Sequence, residues 1–182
     1  MREVDRRGKY SRRTFLQGAT TAVPVAAVAA SAGMSIEDVW AADATALSPA
    51  TLKTLVKVAR DIYPHDMLVD GYYITAIKPW DGKAAKDPAV KAMLEEGVRR
   101  LDQDAQDRHK LGYAEVPWEA DRVVLLQGIE QTAFFKAIRS DLVVSLYNQE
   151  ELWPKFGYEG SSAEHGGYIK RGFNDIDWLP KA

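Results

Sequence analysis

The residues best suited to acid–base chemistry or metal binding are three histidines, His65, His109 and His165. Two of them stand next to a carboxylate, in the pairs His65-Asp66 and Glu164-His165. None lies in a His-x-x-x-His or Glu-x-x-His pattern, which would place two metal ligands on one face of a helix. We therefore expect these histidines to be exposed loop residues, and the sequence predicts no catalytic residue and no metal site.

The sequence also lacks the motifs that commonly bind a cofactor. The sequence has no cysteine, which excludes disulfides, thiolate metal sites, iron–sulfur clusters and covalently attached c-type haem. It also has no Gly-x-Gly-x-x-Gly, Walker or Gly-x-Ser-x-Gly motif. We expect no flavin, nicotinamide or other cofactor to be held by this chain.

The elements that would position any site are predicted to be helices. Caps and apolar periodicity predict four of them, at about 48–62, 87–109, 118–130 and 132–150. Ser48 and Asp87 are good N-caps, and each is followed by a proline, which suits the first helical position. No alternating run predicts a strand. The fold class is therefore all-α, a small bundle of about four helices with an irregular C-terminal extension.

Two details of this prediction can be checked directly. The segment 65–86 contains glycines and aromatic residues without a clear period, and it is predicted to be an ordered loop or a short irregular helix. The last helix is expected to turn its apolar residues toward the core, namely Phe134, Phe135, Ile138, Leu142, Val143 and Leu146.

The N-terminus has the pattern of a twin-arginine export signal. Arg12 and Arg13 precede Phe15 and Leu16, and a weakly apolar, alanine-rich run ends in small residues at 30–32. The run from 19 to 32 would span only ~21 Å as a helix, which is short of the ~30 Å hydrocarbon core of a bilayer. This pattern predicts export through the pathway that carries folded proteins into the periplasm.

Two sites are candidates for signal cleavage, after Ala32 or after Ala41. Residues 1–42 are accordingly interpreted as the signal and a short linker, and residues 43–182 as one domain. Residues 1–32 carry six basic and two acidic side chains; since the whole chain carries −2, the rest carries −6. This acidic balance gives no electrostatic footprint for nucleic acid.

The C-terminal segment 153–182, called the strap below, has an unusual composition. From Phe156 to Trp178 it holds five glycines and five aromatic residues, and disordered tails are poor in aromatics. The strap is expected either to cover its own bundle or to anchor in grooves of another protein, and we favour the second. The candidate partner-binding residues are Trp153, Phe156, Tyr158, Tyr168, Phe173 and Trp178.

These features resemble the gluconate 2-dehydrogenase subunit 3 family. The resemblance covers most of the chain after the signal and includes Ile62-Tyr63-Pro64 and the helix around 92–116. Its most specific part is Trp153, the run 156–160 (Phe-Gly-Tyr-Glu-Gly) and the run 166–168 (Gly-Gly-Tyr). Members of the family are small accessory subunits of periplasmic flavin dehydrogenases, and the resemblance carries over no catalytic residue.

The resemblance implies a large FAD-binding partner of the glucose-methanol-choline type that oxidises a sugar, sugar acid or polyol. A multihaem cytochrome c subunit often takes the electrons onward in such complexes. The twin-arginine translocase would then export a folded complex, held at the inner membrane through its other subunits, whose FAD lies in the partner. Two alternatives stay open: a free-standing exported helical protein with a binding or structural role, and a small periplasmic enzyme.

Overall fold

The computed structural model describes residues 44–169 as a bundle of five α-helices and two short 3-10 helices, with no strand in that range. The α-helices are α1 Pro49–Ile62, α2 Asp70–Lys86, α3 Pro88–His109, α4 Glu119–Gly128 and α5 Ala133–Ser145, and the 3-10 helices are Tyr113–Glu115 and Glu150–Phe156. The all-α prediction is confirmed. The predicted export signal lies outside the described residues.

Local capping starts three of the helices where the sequence predicts them. The side chains of Ser48 and Asp87 accept backbone N–H bonds at 3.1 and 2.8 Å, and the proline after each occupies the first turn. Thr132 caps α5 in the same way at 3.2 Å. These side chains satisfy N–H groups that have no partner inside the helix, which fixes the start of each helix.

Helix α1 lies at the centre of the bundle and contacts each of the other four helices. It is consequently buried on more than one face, and its buried residues include Thr51 and Thr54 as well as Leu52, Leu55 and Val58. None of the helices in the described part of the chain is long and apolar enough to cross a membrane.

The prediction for the segment 65–86 was wrong, because α2 is a regular helix of 17 residues. Tyr73, Ile77, Trp80 and Ala84 are buried at helical spacing against the bundle. The sequence does not predict this helix, because the helix begins without a side-chain cap and contains a proline, Pro79. Burial of the stripe against the bundle outweighs these weak local signals.

Polar contacts also tie α2 to the rest of the bundle. The Asp81 carboxylate accepts the backbone N–H groups of residues 45, 46 and 47 at 2.9–3.0 Å and the Thr45 hydroxyl at 2.9 Å. Partial burial raises the pKa of Asp81, but these hydrogen bonds outweigh it, so the pKa lies below its ordinary value. On the other side, Trp80 and Lys83 donate to Asp141 of α5 at 3.1 and 2.8 Å.

A buried ion pair links α1 to α4. Two guanidinium nitrogens of Arg122 donate to the two carboxylate oxygens of Asp61 at 2.7 and 2.8 Å, and the Tyr113 hydroxyl donates to the same carboxylate at 2.7 Å. Arg122 also donates to the Val116 carbonyl at 2.7 Å. The bonds to Asp61 raise the pKa of Arg122 against the effect of its burial, and burial, reinforced by Asp61, raises the pKa of Tyr113. Arg122 therefore keeps its positive charge, and the Tyr113 hydroxyl keeps its proton.

Helix α5 ends at Ser145, earlier than the predicted limit near 150. Its inward face agrees with the prediction at Phe134, Ile138, Leu142 and Leu146, which are buried, whereas Val143 is exposed. Since successive residues of a helix are rotated by 100°, Val143 and Val144 point away from the side that Leu142 buries.

Candidate functional site: an aromatic groove at the end of α5

A groove of about 480 Å³ lies where the C-terminal end of α5 meets the second 3-10 helix and the start of the strap. We call it the aromatic groove. Its lining residues are Val143, Val144, Tyr147, Asn148, Trp153, Phe156 and Tyr158. None of these side chains carries a charge, and the polar side-chain groups of the lining are the Asn148 amide, the Trp153 indole N–H and two tyrosine hydroxyls.

The lining is apolar and yet open to solvent. The exposed fractions of Val144 and Tyr158 are 63% and 49%, and Val143 and Phe156 are exposed as well. Scattered apolar residues are normal on a surface, but contiguous ones around a concave feature are typical of an interaction site. Aromatic residues of this kind dominate the binding energy of protein interfaces.

Contacts within the chain build the groove. The indole N–H of Trp153 donates to the Tyr147 carbonyl at 3.0 Å, which attaches the 3-10 helix to the end of α5. The Tyr158 ring stands edge-on to Trp153 at 5.2 Å between centroids, and the backbone N–H of Tyr158 donates to the Trp153 carbonyl at 2.9 Å. The first part of the strap is thereby folded onto the bundle, while Phe156 and Tyr158 stay exposed.

Two glycines allow the chain to turn at this point. Gly157 ends the 3-10 helix with φ = 74°, in the left-handed region that other residues rarely adopt. Gly160 has φ = 97°, and a Cβ atom there would lie 3.5 Å from the Trp153 ring. Part of the glycine content that marks the strap in the sequence is therefore explained by turns that fold it against Trp153.

His65 lies behind the groove. Its Nε2 atom is 2.7 Å from the Tyr147 hydroxyl, and its ring is 5.0 Å from the Phe156 ring, edge to face. The Tyr147 and Phe156 rings are themselves 5.6 Å apart, and Tyr63 packs edge-on against Tyr147 at the same distance. His65 is thus a half-buried member of an aromatic cluster and not the exposed loop histidine that the sequence predicts.

The surroundings change the proton affinities of this cluster. Desolvation, and secondly the positive charge of Arg60, lower the pKa of the His65 imidazole. Burial, with a smaller contribution from Tyr63, raises the pKa of the Tyr147 hydroxyl. Near neutral pH the contact therefore joins a neutral imidazole and a neutral phenol.

The predicted partner-binding residues fall into three groups. Trp153, Phe156 and Tyr158 come together in the aromatic groove, whereas Tyr168 is exposed near the end of the described chain and does not line the groove. The remaining predicted residues lie outside the described residues: Phe173 and Trp178 of the strap and Arg12, Arg13, Phe15 and Leu16 of the export signal.

Sequence reasoning missed the groove residues that precede the strap. Val143 and Val144 follow Leu142 directly, and three consecutive apolar residues cannot all face the same core from one helix. That pattern was the available signal for an apolar surface. Nothing local marks Tyr147 or His65, because they are 82 positions apart in the chain.

A second groove, of about 840 Å³, lies between α1 and α3 and has a different character. Charged residues of both signs line it, among them Arg60, Arg99, Asp102 and Glu115. They bond within the chain: Arg60 to Asp70, Arg99 to Glu96, and the two carboxylates to backbone N–H groups of 113 and 112. These four charged side chains are therefore already engaged within the chain.

Among residues 44–169 there is no group of three or more histidine, aspartate or glutamate side chains placed to hold a metal ion. The aromatic groove has no side-chain cation and no carboxylate in its lining. The chemistry it offers is therefore apolar contact with a few hydrogen bonds, which suits the binding of a protein segment.

Comparison with known proteins gives no further guide, because no family model, no curated protein and no solved structure matches this chain.

Proposed function

We propose that this protein is a non-catalytic accessory subunit of a periplasmic FAD-dependent sugar, sugar-acid or polyol dehydrogenase of the glucose-methanol-choline type. The subunit binds the flavoprotein and stabilises it, and its twin-arginine signal directs the folded complex to the periplasm. FAD belongs to the partner, and a multihaem cytochrome c subunit can join the same complex. The observation that carries this proposal is the exposed aromatic groove.

The character of the groove favours a protein segment as its occupant. A sugar site pairs an aromatic surface with several polar groups that bond the hydroxyls, and charged side chains commonly supply them. The groove instead combines two exposed valines of α5 with three aromatic side chains of the 3-10 helix and strap. An apolar segment of the flavoprotein fills such a groove, with the Asn148 amide bonding its backbone.

Binding of this kind also explains a stabilising role. A partner that binds only the folded flavoprotein raises its stability by mass action, by ~2.7 kcal/mol at a concentration one hundred times the dissociation constant. Folding and FAD loading in the cytoplasm before export then require one export signal for the whole complex. The signal on this chain meets that requirement.

The decisive experiment begins with the native complex. The chain is purified from its own cell envelope, and the proteins that accompany it are identified and tested for flavin absorbance. A flavoprotein of the dehydrogenase type is expected. An envelope preparation in which no flavoprotein accompanies the chain would contradict the proposal and favour a free-standing binding or structural protein.

A matched pair of substitutions then locates the interface. Val144→Lys places a charge in the groove, and Val124→Lys places the same charge on α4, where Val124 is 50% exposed and does not line the groove. Both sites are exposed, so neither change should destabilise the fold. We expect Val144→Lys to weaken flavoprotein binding and Val124→Lys to leave it unchanged.

Tyr158→Ala provides the complementary test, since loss of an interface anchor costs ~2 kcal/mol or more, about thirtyfold in affinity. Deletion of residues 170–182 tests whether Phe173 and Trp178 also contribute to the affinity for the flavoprotein. If Val144→Lys and Tyr158→Ala both bind the flavoprotein normally, the interface does not lie in the groove.

A further inference from the structure

We propose that His65 is the positioning residue of the aromatic groove: its neutral imidazole holds Tyr147 and Phe156 in place, and protonation of the imidazole loosens both. His65 does not line the groove, yet it contacts two residues that do. The expected effect on binding of the flavoprotein rests on the proposed function. The effect on the arrangement of the rings does not, because all of these rings are in this chain.

Three separate parts of the chain meet at this side chain. His65 belongs to the link between α1 and α2, Tyr147 follows α5, and Phe156 ends the second 3-10 helix. The imidazole bonds the Tyr147 hydroxyl through Nε2 and packs its ring against Phe156. A change at His65 is therefore transmitted to one wall of the groove without any direct contact between His65 and an occupant.

Some contacts of the 3-10 helix are made away from His65 and Tyr147. Its preceding residue, Gln149, donates to the Tyr72 carbonyl at 3.0 Å, and the Lys155 ammonium lies 6.0 Å from the Tyr72 ring centroid. These contacts attach the helix to the first turn of α2. They can keep it on the bundle when the His65 contact weakens, so the expected change is local to the Tyr147 and Phe156 rings.

The charges around His65 decide the effect of a proton. Arg60, on the last turn of α1, acts on it with like charge, although Arg60 itself is paired with Asp70 of α2 at 2.7 Å. Asp66 is the next residue in the link, and Lys155 precedes Phe156 in the 3-10 helix. The segment that follows α5 presents the neutral Tyr147 hydroxyl. No carboxylate among the described residues bonds the imidazole. Desolvation and the positive charge of Arg60 therefore both disfavour its protonated form.

The sign of the pH dependence follows from linkage. The folded arrangement lowers the imidazole pKa below its ordinary value of 6.5, so the unfolded or loosened state binds more protons. The stabilisation from His65 is therefore complete above about pH 6.5 and is lost as the pH falls toward the folded pKa. The groove is expected to be well formed at neutral pH and looser in mild acid.

The first test uses the chain without any partner. NMR follows the His65 imidazole and the Tyr147 and Phe156 ring protons from about pH 7.5 to about pH 5.5, a range that spans the titration of histidine. The ring resonances are expected to shift with the His65 midpoint, and that midpoint is expected below 6.5. Rings that stay unchanged while His65 titrates would overturn the proposal.

The second test compares variants in flavoprotein binding. His65→Gln keeps a hydrogen-bonding side chain and removes the titration, and Tyr147→Phe removes the hydroxyl and keeps the ring. His109→Gln is the control, since His109 lies in the last turn of α3 and does not line the groove. Wild-type and His109→Gln chains are expected to lose roughly two- to tenfold in affinity in acid, the scale of one hydrogen bond.

His65→Gln is expected to lose this pH step and, because glutamine has no ring to pack against Phe156, to bind more weakly than the wild type at neutral pH. Tyr147→Phe is expected to bind two- to tenfold more weakly at neutral pH and to show a smaller step. A pH step of unchanged size in His65→Gln would overturn the role of His65. A flavoprotein that binds at no pH, with ring resonances that still follow His65, would contradict the proposed function and leave the positioning role supported.

Discussion

The buried ion pair between Asp61 and Arg122 should be the most sensitive polar contact in the described fold. The exposed fractions of the two side chains are 1% and 6%, so neither charge can be solvated if its partner is removed. We predict that Arg122→Met, which keeps an apolar stem of similar length, destabilises the protein strongly. The substitution leaves the Asp61 carboxylate buried with the Tyr113 hydroxyl as its remaining donor.

The size of the effect follows from what is lost. Arg122→Met removes two charge-assisted hydrogen bonds to Asp61 and leaves the Val116 carbonyl without its Arg122 donor. Breaking one side of a buried pair typically costs 3–5 kcal/mol, because the other charge stays desolvated. For a domain of this size that is a large fraction of a total stability of ~5–15 kcal/mol, and it should lower Tm by roughly 10–20 °C.

A second variant separates the cost of an unpaired charge from the cost of lost packing. Replacing both partners, with Asp61→Leu and Arg122→Met together, should recover much of the stability, since an apolar pair needs no solvation. The Tyr113 hydroxyl then lacks its acceptor, which costs ~1–3 kcal/mol until Tyr113→Phe removes it.

Urea denaturation followed by circular dichroism measures these free energies, with Arg99→Met as the control. Arg99 pairs with Glu96 on the surface of α3, where ion pairs contribute little, so its midpoint should match that of the wild type. The reasoning is refuted if Arg122→Met unfolds at the same urea concentration as this control, or if the double variant is less stable than Arg122→Met.

Three further predictions concern packing, pH and export. Gly97→Ala should lower the stability of the protein by ~1–3 kcal/mol in thermal melts, because the new Cβ would overlap the Phe134 ring. Gly82→Ala has open space around it and should raise the stability by ~0.5–1 kcal/mol. Equal effects of the two substitutions would contradict this packing. The bonds of Asp81 to residues 45–47 should hold at about pH 5 and weaken below 3.8, because the folded pKa lies below that unfolded value. Amide exchange at 45–47 measures this, and Asp81→Asn should abolish the dependence. Replacing Arg12 and Arg13 by lysine should block export, because the planar guanidinium group bonds carboxylates in a way that an ammonium group cannot. Normal levels of this variant in the periplasmic fraction of the cells would exclude the twin-arginine interpretation.

Local sequence determined the helices whose signals are local. Each of these three helices begins at a capping residue that accepts a bond from a backbone N–H two or three residues later, namely Ser48, Asp87 or Thr132. Residues close together in the sequence therefore determine where each helix starts. The caps and apolar periodicity of α1 and α3 likewise predicted the extents of these two helices, which the structure confirms. These features need no knowledge of the rest of the chain, and they sufficed for the all-α fold class.

The composition of the strap also identified three residues that the structure gathers in one place. Trp153, Phe156 and Tyr158 lie within six positions of one another, and short-range turns bring them together. Their role in binding a partner remains a prediction.

Tertiary structure alone decided the rest, because the interacting residues are distant in sequence. Helix α2 lacks a cap and contains Pro79, and it forms because the bundle buries its apolar stripe. Asp61 and Arg122 are 61 positions apart, and His65 and Tyr147 are 82 apart, so no local pattern pairs them. Whether Val143 faces the core or the solvent likewise depends on which neighbours cover that side of α5. Periodicity shows that a helix has an apolar side, but only the packed bundle determines which part of that side is buried and which part is left as the wall of a groove.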